Sequence, residues 1–334
     1  MPSIIAARGV EKIFRQPRRL PGFIGGLRTL FTREFTEVRA VDGISFDIAA
    51  GEATGYLGPN GAGKSTMIKM MTGILVPTAG TLSVLGREPH SNRILNAAEI
   101  GVVFGQRSQL WWDLPVRDSF DLNRHIYDIP AGRFTENLRY LTAMLDMGGY
   151  IDRPVRQLSL GQRMRAEIAM ALLHDPKILF LDEPTIGLDV VAKDAVRKFL
   201  AEVNRERGTT IILTTHDLVD IEEICPRLIM VDDGKLLFDG ELKRLRATLG
   251  SRRRLTLEFA GDPGPIILTS ATLTADDGAA KHFLLEDESV SLLDVLEELG
   301  RGHGLKDVKL EEPDIEEVIR TFYKTKPQLA GAAP

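Results

Sequence analysis

Several short, continuously apolar segments recur along the chain, and each is followed by glycine or by polar residues. Ile100–Phe104, Ile178–Leu181 and Ile211–Thr215 are segments of this kind, which is typical of strands that are covered on both faces in a parallel sheet. Residues 107 to 175 show mainly helical periodicity instead. The pattern therefore predicts an α/β core with an inserted helical subdomain at about 107–175.

The two ends of the chain have different patterns. Residues 1 to 14 alternate loosely and predict an edge strand that closes on Phe14. Together with the strand-like Gly43–Ile48, this strand would form an N-terminal antiparallel β part. After a predicted hairpin around Asp233–Gly234, strands at 255–259, 281–285 and 308–310 alternate with helices at 292–299 and 315–322, and the residues from 260 to 280 are expected to be loop. We expect a first domain at 1–245, a small α+β domain at 246–325 and a loose tail at 326–334.

Residues 15–38 form an insertion in which arginines are interleaved with apolar side chains. A short amphipathic helix with a basic face is predicted after Pro21, because four apolar side chains share one helix face: Phe23, Leu27, Leu30 and Phe31. Such a helix would rest on anionic headgroups or on a membrane partner. Alternatively, the insertion is a surface elaboration whose apolar side packs on the domain. We hypothesise membrane proximity.

A glycine-rich loop lies between the strand-like Thr54–Leu57 and a helix-forming segment that ends near Gly73. It fits the phosphate-loop pattern, in which backbone N–H groups curl around a phosphate and the following helix N-terminus adds partial positive charge. Lys64 would contact the β- and γ-phosphates, and the Ser65 hydroxyl would bind Mg²⁺. The residues expected to bind nucleotide here are Gly58, Pro59, Asn60, Gly61, Ala62, Gly63, Lys64, Ser65 and Thr66.

Two of the apolar segments are followed directly by titratable residues. Asp182 and Glu183 follow Ile178–Leu181, and His216 follows Ile211–Thr215. Parallel α/β sheets bind their ligands at the carboxyl ends of the strands. Asp182 is expected to hold Mg²⁺, directly or through water. Glu183 is expected to polarise a water against the γ-phosphate, and His216 to contact that phosphate.

Ser159 and Gln162 have the spacing of a capping box, so a helix is predicted to begin at Ser159. The N–H groups and macrodipole of that helix form a second potential phosphate site.

Composition narrows the functional classes. With 43% apolar and 27% charged residues the chain has the composition of an ordinary globular protein, and its net charge of −5 does not indicate a nucleic-acid partner. The single Cys225 excludes an intrachain disulfide and suits a reducing compartment. We find neither a leader segment nor a long uncharged apolar run. The sequence therefore predicts a cytoplasmic protein that acts on a membrane only through another subunit.

Taken together, these motifs resemble the nucleotide-binding subunits of ABC transporters over residues 4 to 240. Five motifs fall in the family's order: the phosphate loop, Gln106 as the Q-loop, Leu158–Gln162 as the signature, Walker B with its glutamate, and the switch histidine. Asp189 stands in the D-loop position. Phe14 stands at the aromatic that stacks on the base, although a terminal Phe equally suits a core. The signature reads LSLGQ, so that Leu160 replaces the family's glycine.

The resemblance implies an ATPase with a P-loop NTPase core that binds ATP and Mg²⁺. Gln106 would take part in catalysis, bind the metal and couple the site to the helical subdomain. Two subunits, most economically a homodimer, would close head to tail over two ATP. The signature that would complete the site is Ser159, Leu160, Gly161 and Gln162 of the other chain.

Integral membrane subunits would be further partners, which would place the protein peripherally on the inner face of the cell membrane. Trp111 and Trp112 are either a docking surface for these subunits or core, and at least one is expected to be exposed. The small C-terminal domain, with its ending at Asp314–Ile319, resembles the ATPases of ABC-2 type exporters. The long N-terminal insertion and the segment Gly105–Pro115 resemble, more narrowly, the viologen-exporter group. An importer ATPase with a regulatory C-terminal domain and a soluble, non-transport ABC ATPase are the alternatives.

Overall fold

The computed structural model describes residues 3–17, 35–105, 107–248, 253–285, 290–300, 303–311, 316, 318–320 and 322–323. The chain divides into two compact units, Met1–Gly240 and Glu241–Pro334, so the division falls slightly before the expected boundary at 245. The amphipathic helix expected after Pro21, Gln106 and the tail at 326–334 lie outside the described residues.

The described strands of the first unit, the last of which ends one residue beyond it, are β1 Ser3–Pro17, β2 Phe35–Ala49, β3 Ala53–Leu57, β4 Ala79–Val84, β5 Ile100–Phe104, β6 Ile178–Asp182, β7 Thr210–Thr214, β8 Arg227–Asp232 and β9 Lys235–Glu241. The described helices of the first unit are α1 Lys64–Met71, α2 Arg93–Glu99, α3 Val116–Ile126, α4 Ala131–Met144, α5 Leu160–Leu172, α6 Val190–Arg207 and α7 Leu218–Ile224, with a 3₁₀ turn at Val155–Gln157.

Six of the strands form the central sheet in the order β5-β6-β7-β3-β8-β9. β5, β6, β7, β3 and β8 pair in parallel, and the apolar segments predicted to be covered on both faces are buried, as Ile178–Leu181 shows. β6, β7 and β3 are neighbours, so the segments that follow them meet at one edge of the sheet. The predicted α/β core is confirmed.

The N-terminal sheet has three antiparallel strands in the order β2-β1-β4. The prediction of an edge strand at residues 1–14 is wrong, because β1 pairs with β2 on one side and with β4 on the other. Its ladder with β2 extends from the pair Ser3 and Ala49 to the pair Pro17 and Phe35. Loose alternation indicates one buried face, but it carries no information about a second neighbour.

The stretch predicted to be a helical subdomain contains α3, α4 and α5. Ser159 caps α5 with the predicted capping box: its Oγ accepts from Gln162 N over 3.2 Å, and its own N–H donates to Gln162 Oε1 over 3.0 Å. The turn between β8 and β9 has positive φ at Asp233 and Gly234, as expected of a two-residue hairpin turn.

The second unit contains α8 Leu242–Thr248, β10 Arg254–Phe259, β11 Ala271–Asp277, β12 Ala280–Leu285, α9 Leu292–Leu299 and β13 Leu305–Glu311. Its antiparallel sheet has the order β11-β12-β10-β13, and α9 supplies Val295 and Leu299 to the core. Residues 271–277 were expected to be loop, which is wrong. β11 is an edge strand, and six of its seven residues are exposed, so they lack the apolar period that identifies a strand.

Glu298 at the end of α9 binds the segment before β11. Its carboxylate accepts hydrogen bonds from the hydroxyl and N–H groups of Thr269 and Ser270. These bonds, the one from the Ser270 hydroxyl first, lower the pKa of the Glu298 carboxyl to about 2. A lowered carboxyl pKa stabilises the fold above the ordinary value of 4.5, and this stabilisation is lost as the pH falls toward the folded value.

We therefore expect Glu298→Gln to destabilise the second unit near neutral pH and to have a shrinking effect as the pH falls from 4.5 toward 2. Amide hydrogen exchange of Leu255 and Leu257, which are buried in β10, measures this stability. Glu297→Gln removes a carboxylate from the neighbouring exposed position of α9 and serves as the control. If the difference in stability between Glu298→Gln and Glu297→Gln stays constant with pH, the lowered pKa of Glu298 is contradicted.

Candidate functional site

The phosphate loop connects β3 to α1 and is held in an unusual backbone conformation. Gly63 has φ +95°, and a Cβ at this position would lie 2.0 Å from the carbonyl oxygen of Ala40. The N–H groups in the first turn of any helix lack intrahelical acceptors, and among the described residues no side chain caps those of α1. The Lys64 ammonium donates to the carbonyl oxygens of Gly58 at 2.7 Å and Pro59 at 3.1 Å. Only a residue without a side chain fits at Gly63.

The carboxylate of Asp182 lies beside this loop. Its Oδ1 is 3.4 Å from Ser65 Oγ and accepts from Thr214 Oγ1 over 2.5 Å. Asp182 ends β6 and Thr214 ends the neighbouring β7, so the parallel register brings them together. Thr214 was not among the predicted site residues. The sequence feature that points to Thr214 is its position at the end of an apolar strand, two residues before His216.

Glu183 has a strained backbone. Its φ is +56°, which is uncommon for a residue other than glycine and persists only where the surroundings hold it. Its N–H donates to the carbonyl of Thr214 over 2.9 Å, and its Oε1 lies 3.7 Å from His216 Nδ1. The His216 side chain is 67% exposed. The structure therefore brings Ser65, Asp182, Glu183 and His216 to one edge of the sheet.

A cavity of about 360 Å³ opens at this edge; its lining residues are Ser65, Lys69, Ile74, Phe104, Gly105, Arg107, Asp182 and Glu183. The Gly105 backbone lies against the strand end, since a Cβ there would lie 2.4 Å from the carbonyl oxygen of Glu183. Lys69 and Arg107 were not predicted. Lys69 is four residues after Ser65 on α1, so the sequence places both on one helix face. No comparable sequence pattern indicates that Arg107 lines the cavity.

The cavity suits a phosphate and a divalent cation. Hydroxyl and carboxylate oxygens are the ligands that Mg²⁺ prefers, and Ser65 and Asp182 supply one of each. Burial lowers the pKa of the Lys64 ammonium, and the nearby charges of Glu183 and Asp182 oppose this shift. Cationic side chains at Lys64, Lys69 and Arg107 balance the charge of the two carboxylates. Ser65 and Asp182 therefore fit the magnesium ion.

The signature residues 159–162 are all described, and none of them lines this cavity. The Leu160 side chain rests on Gly187, where a Cβ would lie 2.9 Å from Leu160 Cδ2. Asp189 caps α6, with its Oδ1 accepting from Ala192 N over 2.8 Å. The signature and the D-loop of one chain are thus in contact with each other.

The remaining predicted positions are at the surface. Phe14 is only half-buried, and the Lys12 ammonium lies 5.3 Å from its ring centroid, so it does not belong to the core. Trp111 and Trp112 are both exposed, by 52% and 53%, which satisfies the expectation that at least one is. Among the described residues we find no helix with the length and apolar character needed to cross a bilayer.

The fold and the loop define a P-loop nucleotide-binding protein of the α/β class. A family model described as "ABC transporter" matches residues 41–186. The daunorubicin resistance ATP-binding protein DrrA3 of Streptomyces coeruleorubidus is 31% identical over 300 residues, covering 86% of this chain and 92% of that protein. The methionine import ATP-binding protein MetN 2 of Bacillus licheniformis is 31% identical over 299 residues, covering 88% of this chain and 82% of that protein.

The solved structure of cbiO1 from Clostridium perfringens, part of the ABC transporter complex cbiONQ, has a TM-score of 0.61 at 27% identity and covers 73% of this chain and 91% of that one. The chain therefore belongs to the family of ABC transporter ATP-binding proteins. It is an ATPase of this class. Relatives named for drug resistance and for import both occur, so the similarities leave the direction of transport open.

Proposed function

We propose that this protein is the ATP-hydrolysing subunit of an ABC-2 type transporter and powers the export of a small molecule through separate membrane subunits. The observation that carries the ATPase assignment is the cluster of Ser65, Asp182 and Glu183 around one cavity, with His216 beside Glu183. The similarity to a drug-resistance protein over 92% of its length supports export.

The chain's own residues divide the chemistry among them. The loop from Gly58 to Thr66 binds the phosphates through its N–H groups and Lys64. Ser65 and Asp182, together with Gln106, would hold Mg²⁺, and the bound ion would supply positive charge against the β- and γ-phosphates. Glu183 accepts a hydrogen bond from the attacking water and polarises it, while His216 donates to the γ-phosphate. Phe14, half-buried and beside Lys12, stacks on the base.

A second copy of the chain completes the site. The signature residues 159–162 and Asp189 would reach the γ-phosphate from the partner in a head-to-tail homodimer. Leu160, Val190 and Val191 support this pairing, because they are exposed apolar side chains in and beside the signature and D-loop. Large exposed apolar side chains that cluster are typical of interaction surfaces.

The membrane subunits would dock at Trp111 and Trp112, whose exposed indole rings suit a protein partner. This arrangement would place the protein in the cytoplasm, on the inner face of the cell membrane. An importer ATPase with a regulatory C-terminal unit is the second candidate function, because the similarity to the methionine import protein also spans most of this chain.

The test of the ATPase assignment is steady-state ATP hydrolysis with and without free Mg²⁺. We expect activity that requires Mg²⁺ and a turnover per chain that rises with protein concentration, since the complete site needs two copies. Lys64→Ala should abolish ATP binding. The control is Lys198→Ala, which removes a surface lysine paired with Asp194 and should leave ATP binding unchanged. Hydrolysis that persists in Lys64→Ala would contradict the assigned site.

The direction of transport is tested in inside-out vesicles that contain the membrane proteins copurified with this chain. ATP-dependent substrate uptake into such vesicles would support export. Uptake only into right-side-out vesicles loaded with ATP would instead support import.

A further inference from the structure

A buried carboxylate lies behind the candidate catalytic pair. Asp220 on α7 is fully buried and accepts hydrogen bonds from the hydroxyls of two other buried residues, Thr185 and Thr215. Its other oxygen accepts from the Arg197 guanidinium over 3.2 Å. Burying a carboxylate is unfavourable unless it is paired and hydrogen-bonded. Asp220 satisfies this requirement with partners from three different parts of the chain.

The two threonines lie close in sequence to Glu183, which lines the cavity, and to His216, which lies beside Glu183. Thr185 is two residues after Glu183, and Thr215 immediately precedes His216. Thr215 Oγ1 donates to Asp220 Oδ2 over 3.0 Å and also accepts from the N–H of Asp217 over 3.0 Å. The backbone is therefore held on both sides of His216. Thr185 is held by the same oxygen of the same carboxylate.

This connection accounts for how the strained turn at Glu183 is held. The Glu183 N–H binds the carbonyl of Thr214, which fixes one end of the turn to β7. The Thr185 hydroxyl fixes the other end to α7 through Asp220. Arg197 extends the connection to α6, where it also lies 3.0 Å from a carboxylate oxygen of Glu223. A residue with positive φ needs such constraints from its surroundings.

We propose that Asp220 is a positioning residue for ATP hydrolysis: by binding Thr185 and Thr215 it sets the position of Glu183 relative to His216. This inference rests on the proposed function of the Glu183 and His216 site. Asp220 does not line the cavity and acts through the two turns. Its loss should affect the geometry of the water and the γ-phosphate more than the binding of ATP, which depends on the phosphate loop.

The expected result for Asp220→Asn in the full chain is a kcat that falls roughly tenfold or more, because misplacement of a catalytic group reduces rate steeply. The KM for ATP should change by less than about twofold, since the phosphate-loop contacts remain. The matched control is Asp175→Asn. Asp175 also pairs with an arginine of α6, Arg207, and with Arg133. Asp175→Asn should therefore lower thermal stability without lowering kcat.

Variants of the threonines keep the inference testable should Asp220→Asn not fold. Thr185→Val and Thr215→Val remove only the hydroxyl and should each lower kcat, whereas Thr185→Ser and Thr215→Ser should retain it. Asp220→Ala combined with Thr215→Val should cost less than the two separate effects together, because each change removes the bond between Asp220 and Thr215. A folded Asp220→Asn variant, or the two valine variants, with kcat unchanged would overturn the inference.

Hydrogen exchange separates this inference from the proposed function. Asp220→Asn should speed exchange at residues 183–188 and 214–217, and Asp175→Asn should not. Unchanged exchange in both segments would overturn the positioning role whatever the activity. Absence of hydrolysis in the unaltered chain, with exchange changed as expected, would instead reject the proposed function and leave Asp220 only a structural role.

Discussion

Replacing Glu183 with glutamine is expected to lower the ATPase turnover number at least about 100-fold, the usual range for loss of a general base. The amide has nearly the same shape as the carboxylate, but it carries no negative charge and is a poor proton acceptor. Glutamine also tolerates the left-handed backbone no worse than glutamate does, so the φ of +56° at this position is retained. The change therefore removes the chemistry and preserves the turn.

ATP binding should be nearly unaffected by Glu183→Gln, because Lys64 and the loop N–H groups make the phosphate contacts. Single-turnover hydrolysis and equilibrium binding of ATP measure the two effects separately. Glu206→Gln is the control, since it removes a surface carboxylate at the end of α6. An activity of Glu183→Gln close to that of the unaltered chain would refute the assignment of the general base.

Replacing Gly63 with alanine is expected to prevent formation of the native phosphate loop. The alanine Cβ would lie 2.0 Å from the carbonyl oxygen of Ala40, a backbone atom that cannot move aside as a flexible side chain does. The left-handed backbone adds a cost of about 1–2 kcal/mol for any residue with a Cβ. We expect the total loss in the free energy of unfolding to exceed about 3 kcal/mol, the range of severe local strain. ATP binding should be lost as well.

Gly61→Ala provides the matched control. Gly61 has φ +90°, close to that of Gly63, but no atom in the part of the chain that the structure describes lies within 4 Å of a Cβ built there. Its substitution should therefore show only the conformational cost of about 1–2 kcal/mol. Denaturant unfolding without nucleotide measures both variants. Equal losses would mean that backbone conformation alone, and not the approach of Ala40, requires glycine at position 63.

Local patterns predicted most of the elements around the site, since each depends on neighbours in sequence. The helix that begins after Ser159 follows from a capping box that needs only residues 159–162. The buried strand before Asp182 follows from an uninterrupted apolar run. By contrast, the sequence does not predict β11, because the exposed residues of this edge strand show no apolar period. It predicts β1 at an edge, because partners far along the chain leave no pattern in the residues of β1 itself.

The sequence by itself determined the class of protein: the order of the motifs defines an ABC ATPase, and the glycines and charged residues it requires can be named directly. Only the tertiary structure decided how these residues cooperate. Glu183 has a left-handed backbone that its own sequence does not predict. Hydrogen bonds join Thr214 to Asp182, and Thr185 and Thr215 to Asp220. These bonds connect residues from separate strands and helices. Such contacts depend on the order of the strands in the sheet, in which neighbours such as β7 and β3 are far apart along the chain.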